Sequence, residues 1–200
     1  MISGVIIPVV NVPVLSVQTR FKYAISGILF GLTLKSNRTR PTSDKVKESL
    51  FNSLGQFFQG GNVLDLYAGS GALGIEAVSR GCDHASLVDI NHAACTIIKK
   101  NVALTKEEQR FNVYNMRSSA ALKLFSENDE KFDLVFLDPP YAKEKIAKDM
   151  LQMVKSNLLN DHAIVVAETD DHTELGEITG FSLIKEHHLG KTIVRIYRKD

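Results

Sequence analysis

The chain has 200 residues, of which 44% are hydrophobic and 24% charged, and its 24 basic side chains nearly balance 23 acidic ones. This composition is typical of a soluble globular domain and excludes a disordered tail, a fibrous repeat and a low-complexity linker. The two cysteines, Cys82 and Cys95, have no neighbours at metal-ligand spacing. We therefore expect reduced thiols, no disulfide framework and no metal site.

Residues 1–22 are predicted to be an extension outside the domain proper. Pro8 and Pro13 interrupt their apolar run, and no basic residue precedes it. Neither a membrane span nor a secretory signal is therefore expected. An edge strand, a flexible arm and an upstream extension remain open interpretations. We expect a cytoplasmic protein without a membrane partner.

A basic region extends from Arg20 to Lys47. It contains seven Lys and Arg residues and one acidic residue, so its net charge is +6 and that of the rest of the chain is −5. This charge fits a solvated face, and it also fits a surface for a polyanion such as RNA. Arg40, in the sequence TRPT, fits the lead-in to a helix and a phosphate contact equally well.

Residues 23–60 are predicted to form a small N-terminal unit with a hairpin over Tyr23–Leu34 and a helix that ends at Leu54. Residues 61–200 are predicted to form the main domain, in which strands and helices alternate. The first five predicted strands are Asn62–Leu66, His84–Val88, Phe111–Asn115, Phe132–Leu137 and Ala163–Ala167. The predicted helices of this domain are Ala72–Arg80, His92–Leu104, Ser118–Ser126 and Lys143–Asn157.

The strand sequences VLDL and LVFL are apolar on both faces, which is typical of a parallel sheet covered by helices. With right-handed crossovers they predict a doubly wound α/β fold. Two further strand-like runs, Phe181–His188 and Thr192–Arg198, have no helix between them. They predict an antiparallel hairpin at one end of a mostly parallel, seven-stranded sheet.

A glycine-rich turn follows the first strand of the main domain. Gly69, Gly71 and Gly74 match the pattern G-x-G-x-x-G between a strand and a helix. Asp89 ends the next strand 20 residues beyond Gly69, where a carboxylate can accept ribose hydroxyls. An ordinary strand-to-helix turn would explain the glycines alone, but the combination favours a cofactor that contains adenosine.

Asp65 bears on which adenosine cofactor is bound. NAD would place a doubly anionic pyrophosphate beside this carboxylate, at the helix N-terminus. S-adenosylmethionine has no phosphate and carries an ammonium and a cationic sulfur. The position of Asp65 therefore favours S-adenosylmethionine.

A second motif, Asp138-Pro139-Pro140-Tyr141, follows the apolar strand FDLVFL. It fits a helix cap or turn, but the two prolines lack backbone N–H groups and stiffen the segment. A carboxylate and a proline carbonyl can accept both N–H groups of a base's exocyclic amine, while Tyr141 stacks on the ring. Such acceptors would stabilise positive charge that develops on the amine during methyl transfer.

With these motifs the chain resembles the bacterial 16S rRNA guanine-N2 methyltransferases, which modify a single guanine of the small ribosomal subunit. The stretches that carry the resemblance are Arg38–Gly55, Val63–Gly81, Val88–Asn91 and Phe132–Lys143. The resemblance implies a Rossmann-like class I methyltransferase fold and S-adenosylmethionine as methyl donor. It also implies that the partner is 16S rRNA or a small-subunit assembly particle. Separately from the resemblance, we expect a monomer.

The resemblance also implies roles for individual residues. The implied cofactor-binding residues are Asp65, Tyr67, Gly69, Gly71, Asp89, Ile90 and Ser118. The implied target-amine residues are Asp138, Pro139, Pro140 and Tyr141. From the basic region we expect Arg38, Arg40, Lys45 and Lys47 to bind RNA, and the resemblance implies that Arg40 faces RNA or closes over the active site.

The chain departs from the family pattern in two places. Residues 1–22 have no counterpart, and Arg117 lies where an acidic or amide side chain is expected to accept from the adenine amine. Asn115, Ser118 or a backbone carbonyl could take over that contact. A DNA base amino-methyltransferase, an NAD-dependent oxidoreductase and a non-catalytic RNA-binding module remain alternatives.

Overall fold

A computed structural model describes residues 44–55, 57–140 and 142–200, with side chains from residue 46 in the first range and from residue 145 in the third. The predictions for residues 1–22, for the hairpin over Tyr23–Leu34, and for Arg38, Arg40 and Tyr141 lie outside the described residues, as does the side chain of Lys45.

Five α-helices and seven strands lie within the described ranges. The helices are α1 (Asp44–Leu54), α2 (Ala72–Ser79), α3 (His92–Thr105), α4 (Ser118–Glu127) and α5 (Ala142–Lys155). The strands are β1 (Asn62–Asp65), β2 (His84–Asp89), β3 (Phe111–Asn115), β4 (Phe132–Leu137), β5 (Leu159–Asp170), β6 (Phe181–Leu189) and β7 (Thr192–Lys199).

All seven strands form one sheet in the order β3-β2-β1-β4-β5-β7-β6. Neighbours among β1 to β5 pair in parallel, whereas β7 pairs antiparallel with both β5 and β6. The predicted doubly wound sheet with a C-terminal antiparallel hairpin is confirmed. Strand order reverses between β1 and β4, the switch point at which open α/β sheets bind ligands.

Most predicted bounds lie within about two residues of the observed ones, a margin that assignment alone can produce. The exception is β5, which was predicted as Ala163–Ala167 but has 12 residues, Leu159–Asp170. Its polar end pairs with β7 as far as Asp170 opposite Thr192, so tertiary pairing extends a strand that its sequence alone would end. A short 3-10 helix at Glu108–Arg110 was also not predicted.

The apolar strands are buried on both faces because helices cover each side of the sheet. Core residues of α4 and α5 pack on one face, and those of α1, α2 and α3 pack on the other. Phe51 of α1 is fully buried, with its ring centroid 5.9 Å from that of Phe136 in β4. None of the helices in the described ranges is both long and apolar enough to cross a membrane.

Strand register determines which side chains meet at the carboxyl edge of the sheet. Asp65 is paired with Leu87 in β2 and with Phe136 in β4. Asp89 and Asp138 each lie two residues beyond these partners. Three acidic residues therefore follow three adjacent parallel strands to the same edge.

The third glycine of the motif is where α2 approaches β2. A Cβ atom on Gly74 would lie 2.3 Å from Cδ2 of Leu87, a side chain that is fully buried. We predict that Gly74→Ala lowers the free energy of unfolding by about 1–3 kcal/mol, the usual cost of overpacking a core. Urea denaturation would measure this change.

Gly176→Ala is the matched control for Gly74→Ala. An added Cβ at Gly176 meets nothing within 4 Å, so its effect should stay within about 0.5 kcal/mol. Equal effects of the two substitutions would contradict the prediction and show that Leu87 moves aside freely.

Candidate functional site

The β1 loop, residues 66–71, turns sharply between β1 and α2. Gly69 and Gly71 have positive φ angles of 55° and 79°, a region that L side chains rarely adopt. The Gly71 N–H donates to the Ala68 carbonyl at 2.6 Å. From α3, Asn101 Nδ2 donates to the Ser70 carbonyl at 2.8 Å, so the loop is held on both sides.

Asp89, at the end of β2, is held by backbone N–H groups. Its Oδ2 accepts from Gly69 N at 2.9 Å and its Oδ1 from Asn91 N at 2.7 Å. Each carboxylate oxygen keeps a second lone pair, which suits the two hydroxyls of a ribose. Ile90 follows with 63% of its surface exposed and offers an apolar contact beside these acceptors.

Asn115, one of the candidates for the adenine contact, braces this strand end. Its Nδ2 donates to the carbonyls of Asp89 and Ile90, both at 3.0 Å. Its Oδ1 lies 3.3 Å from His92 Nδ1. Arg117 is exposed at the N-cap of α4 and makes no side-chain capping bond. The residue that contacts the adenine amine stays a prediction.

Asp65 is buried at the end of β1, with 4% of its surface exposed. Its Oδ2 accepts from Gly74 N at 3.2 Å, in the first turn of α2. Burial, with smaller contributions from the charges of Asp138 and Asp89, raises the pKa of Asp65 to about 7, although the bond from Gly74 opposes the shift. The position therefore favours a cationic neighbour.

The bond from Gly74 also bears on the choice between cofactors. The N–H groups at a helix N-terminus commonly bind phosphate, but here the protein's own Asp65 takes one of them. A pyrophosphate would have to approach this buried carboxylate. The chemistry of the site therefore fits a cofactor with a cationic amino-acid end better than a dinucleotide.

The second motif follows β4 at the same edge. Asp138 and Pro140 are exposed, whereas Pro139 is buried. Buried Pro139 anchors the turn, and neither proline has an N–H to donate. The segment formed by residues 138–140 therefore offers hydrogen-bond acceptors to an approaching group.

Tyr67 and Ser118 meet at a buried contact. The Tyr67 hydroxyl donates to the Asp149 carboxylate of α5 and lies 3.1 Å from Ser118 Oγ. Burial and the bond to Asp149 both raise the pKa of Tyr67, so the hydroxyl stays protonated. Lys145 Nζ lies 5.8 Å from the centroid of the Tyr67 ring.

Sequence reasoning missed Asp149, although a signal for it exists. In α5 the buried residues Ile146, Met150 and Met153 recur at helical spacing, and Asp149 falls on the same face. An acid on an apolar helix face predicts a buried partner, because an unpaired buried carboxylate is costly.

The remaining RNA-binding candidate, Lys47, lies half-buried on α1. Phe51 of the same helix packs on Phe136, two residues before Asp138. The end of the basic region is therefore held near the strand end that precedes the 138–140 segment.

The raised pKa of Asp65 predicts a pH dependence of stability. The unfolded carboxyl loses its proton near pH 4, whereas the folded one keeps it to about pH 7. Wild-type stability should therefore fall, relative to Asp65→Asn, as pH rises between these values, by on the order of 4 kcal/mol. The amide oxygen that this substitution introduces can still accept from Gly74, so the difference isolates ionisation.

Urea unfolding of both proteins from pH 4 to pH 8 tests this prediction. The difference should level off above about pH 7. A difference that does not vary with pH would show that Asp65 ionises as an ordinary carboxyl group.

Comparison with known proteins identifies related chains. The model of the family described as "Conserved hypothetical protein 95" matches residues 24–198. The chain is 39% identical over 179 residues to "Putative rRNA methyltransferase YlbH" of Bacillus subtilis, covering 88% of this chain and 97% of that protein. It is 33% identical over 166 residues to "Ribosomal RNA small subunit methyltransferase D" of Haemophilus influenzae, covering 82% and 86%.

A solved structure shares the fold as well. "Putative methyltransferase yhhF" from Escherichia coli is 27% identical, with a TM-score of 0.70, and the match covers 82% of this chain and 90% of that one. Together with the strand order, this likeness confirms the predicted methyltransferase fold.

Proposed function

Because this chain belongs to the Conserved hypothetical protein 95 family, with ribosomal RNA small subunit methyltransferase D among its relatives, we propose that it methylates RNA. The donor is S-adenosylmethionine, and the acceptor is the exocyclic N2 amine of a specific guanine in 16S rRNA. The observation that carries the proposal is the convergence of Asp65, Asp89 and the 138–140 segment at one sheet edge.

The β1 loop and the end of β2 would hold the donor. Asp89 would accept from the ribose hydroxyls with its remaining lone pairs, and Ile90 would pack on the adenine. Asp65 would pair with the ammonium of the amino-acid end. When bound, S-adenosylmethionine supplies an electrophilic methyl group on a cationic sulfur.

The 138–140 segment would hold the guanine amine. The Asp138 carboxylate and a proline carbonyl would accept its two N–H groups and favour a pyramidal nitrogen whose lone pair can attack. As the N–C bond forms and the S–C bond breaks, positive charge develops on nitrogen and is stabilised by these acceptors. The nitrogen then loses one proton to Asp138 or to water. Tyr141 would stack on the base.

The basic region would contact the RNA backbone. We include Arg38, Arg40, Lys45 and Lys47 in this surface. Lys47 belongs to α1, which packs on β4 through Phe51, so RNA bound by the basic region would lie beside the 138–140 segment. The partner is 16S rRNA, free or in a small-subunit particle, for a monomeric cytoplasmic enzyme.

Direct product analysis tests the proposed function. Purified protein is incubated with S-adenosylmethionine and either 16S rRNA, small-subunit particles from a strain lacking this enzyme, or duplex DNA. Nucleoside mass spectrometry should find N2-methylguanosine at one position of the RNA. Methylated DNA, or a methyl group on another atom or base, would contradict the proposal.

Replacing Asp138 should separate chemistry from cofactor binding. Asp138→Asn removes the negative charge beside the reacting amine, so we expect kcat to fall by roughly 10²–10³. The affinity for S-adenosylhomocysteine should be unchanged or slightly higher. The charge of Asp138 raises the pKa of Asp65, so its removal favours the ionised Asp65 that would pair with the ammonium. Methyl-transfer assays and calorimetry measure the two quantities.

Asp133→Asn is the control for Asp138→Asn. Asp133 lies near the start of β4, at the opposite edge of the sheet from Asp138, where its Oδ2 accepts from Asn62 N at 2.7 Å. This variant should keep its kcat. Near-normal turnover of Asp138→Asn, or equal losses in both variants, would refute the role of Asp138.

Replacing Asp89 should remove recognition of the ribose. Hydrogen bonds to charged acceptors contribute about 1.5–3 kcal/mol each, so Asp89→Ala should weaken S-adenosylhomocysteine binding about tenfold or more. Asp89 also accepts from Gly69 N, so its replacement disturbs the β1 loop as well. Binding of the S-adenosylhomocysteine analogue that lacks the 2′-hydroxyl is therefore measured in parallel. Wild type should discriminate against this analogue, and Asp89→Ala should not. Discrimination retained by the variant would show that Asp89 does not touch the ribose.

A further inference from the structure

One partly buried contact links the two halves of the site. Tyr67 belongs to the β1 loop, and its hydroxyl donates to Asp149 in α5. Helix α5 begins at Ala142, two residues after Pro140. The contact therefore joins the loop on the cofactor side to the helix that continues from the target-amine side.

We infer that Asp149 is a positioning residue for methyl transfer, which through Tyr67 fixes the 138–140 segment relative to the β1 loop. The inference rests on the proposed function for its effect on rate. It assigns Asp149 no contact with donor or acceptor.

The burial of Asp149 indicates a specific contact rather than general packing. It has 6% of its surface exposed and lies on a helix face whose other members, Ile146, Met150 and Met153, are fully buried and apolar. An apolar residue would extend that face without the cost of desolvating a carboxylate. The carboxylate instead gains a directional hydrogen bond, which fixes a distance between elements that apolar packing leaves adjustable.

The same contact reaches a third element. Ser118, the first residue of α4, has its Oγ 3.1 Å from the Tyr67 hydroxyl. The first residue of α4 and the middle of α5 thus both contact the phenol of the β1 loop. Burial raises the pKa of Asp149, whereas the bond from Tyr67 and the charge of Lys145 oppose that shift. The charged form of Asp149 is therefore stabilised by the same hydrogen bond that holds Tyr67.

Positioning matters because the transferred methyl must lie between sulfur and nitrogen. Misplacement of reacting groups by about 1 Å can cost roughly 100-fold in rate. A direct bond between the β1 loop and α5 limits such misplacement, and it adds to the bonds by which Asp89 and Asn101 hold the loop.

Three variants test the inference by steady-state kinetics: Tyr67→Phe, Asp149→Leu and Asp149→Asn. The first two should each lower kcat about tenfold or more, with a smaller change in KM for S-adenosylmethionine. Asp149→Asn should keep most of the activity, since its amide oxygen can still accept from Tyr67. The double variant Tyr67→Phe/Asp149→Leu should be no slower than the slower single variant.

Tyr114→Phe is the matched control. Tyr114 is also a half-buried tyrosine, but its ring packs edge-on against Phe125 of α4. It should lose stability without losing kcat. If Asp149→Leu fails to fold, the kcat values of Tyr67→Phe and Asp149→Asn still test the inference. Additive losses in the double variant, or equal losses in Asp149→Asn and Asp149→Leu, would overturn the inference.

Hydrogen exchange on the cofactor-free protein separates this inference from the proposed function. In Tyr67→Phe the backbone amides of residues 66–71 and of residues 142–150 should both exchange faster than in wild type. Faster exchange in one segment alone, or in neither, would show that the contact does not couple them. If wild type methylates none of the RNA substrates, the proposed function fails while the exchange result still decides the coupling.

Discussion

The parallel register of β2, β1 and β4 brings three acidic residues to one edge of the sheet, and the rest of the site depends on that arrangement. Asp65 pairs with Leu87 in β2 and with Phe136 in β4. Asp89 and Asp138 each lie two residues after these partners. Burial disfavours the charged form of Asp65 most, and the like charges of Asp138 and Asp89 add to that cost. Backbone N–H groups of the β1 loop and α2 compensate part of this charge. A cationic donor would compensate more of it.

The G-x-G-x-x-G pattern by itself leaves the cofactor open. Gly69 and Gly71 provide positive φ angles, and Gly74 permits close packing on β2, which would serve a dinucleotide site equally well. The difference is Asp65, whose carboxylate accepts from the first turn of α2, where a phosphate would otherwise bind. The residue before the loop therefore carries more information about the cofactor than the glycines do.

The sequence predicted most of this architecture because local signals and tertiary structure agree. Asn91, directly before the predicted start of α3, caps that helix by accepting from Ala93 N at 2.9 Å. Prediction failed where long-range contacts decide: β5 extends because β7 pairs with its polar end. Asp149 was missed because its donor, Tyr67, lies 82 residues away along the chain. Helical spacing could reveal that Asp149 faces inward, but not which loop it contacts.

The charge that favours a cationic donor creates a difficulty for an RNA substrate. An edge with Asp65, Asp89 and Asp138 repels phosphates, and outside the basic region the chain carries −5. The proposed function therefore needs positive charge near this edge but outside the cofactor pocket. We propose that the basic region meets that need, because its last residue, Lys47, lies on α1, and Phe51 of the same helix packs on Phe136. The acidic groups would then bind the donor and the target amine, while a separate basic surface would bind the RNA backbone. Residues of one surface can therefore change without loss of binding at the other.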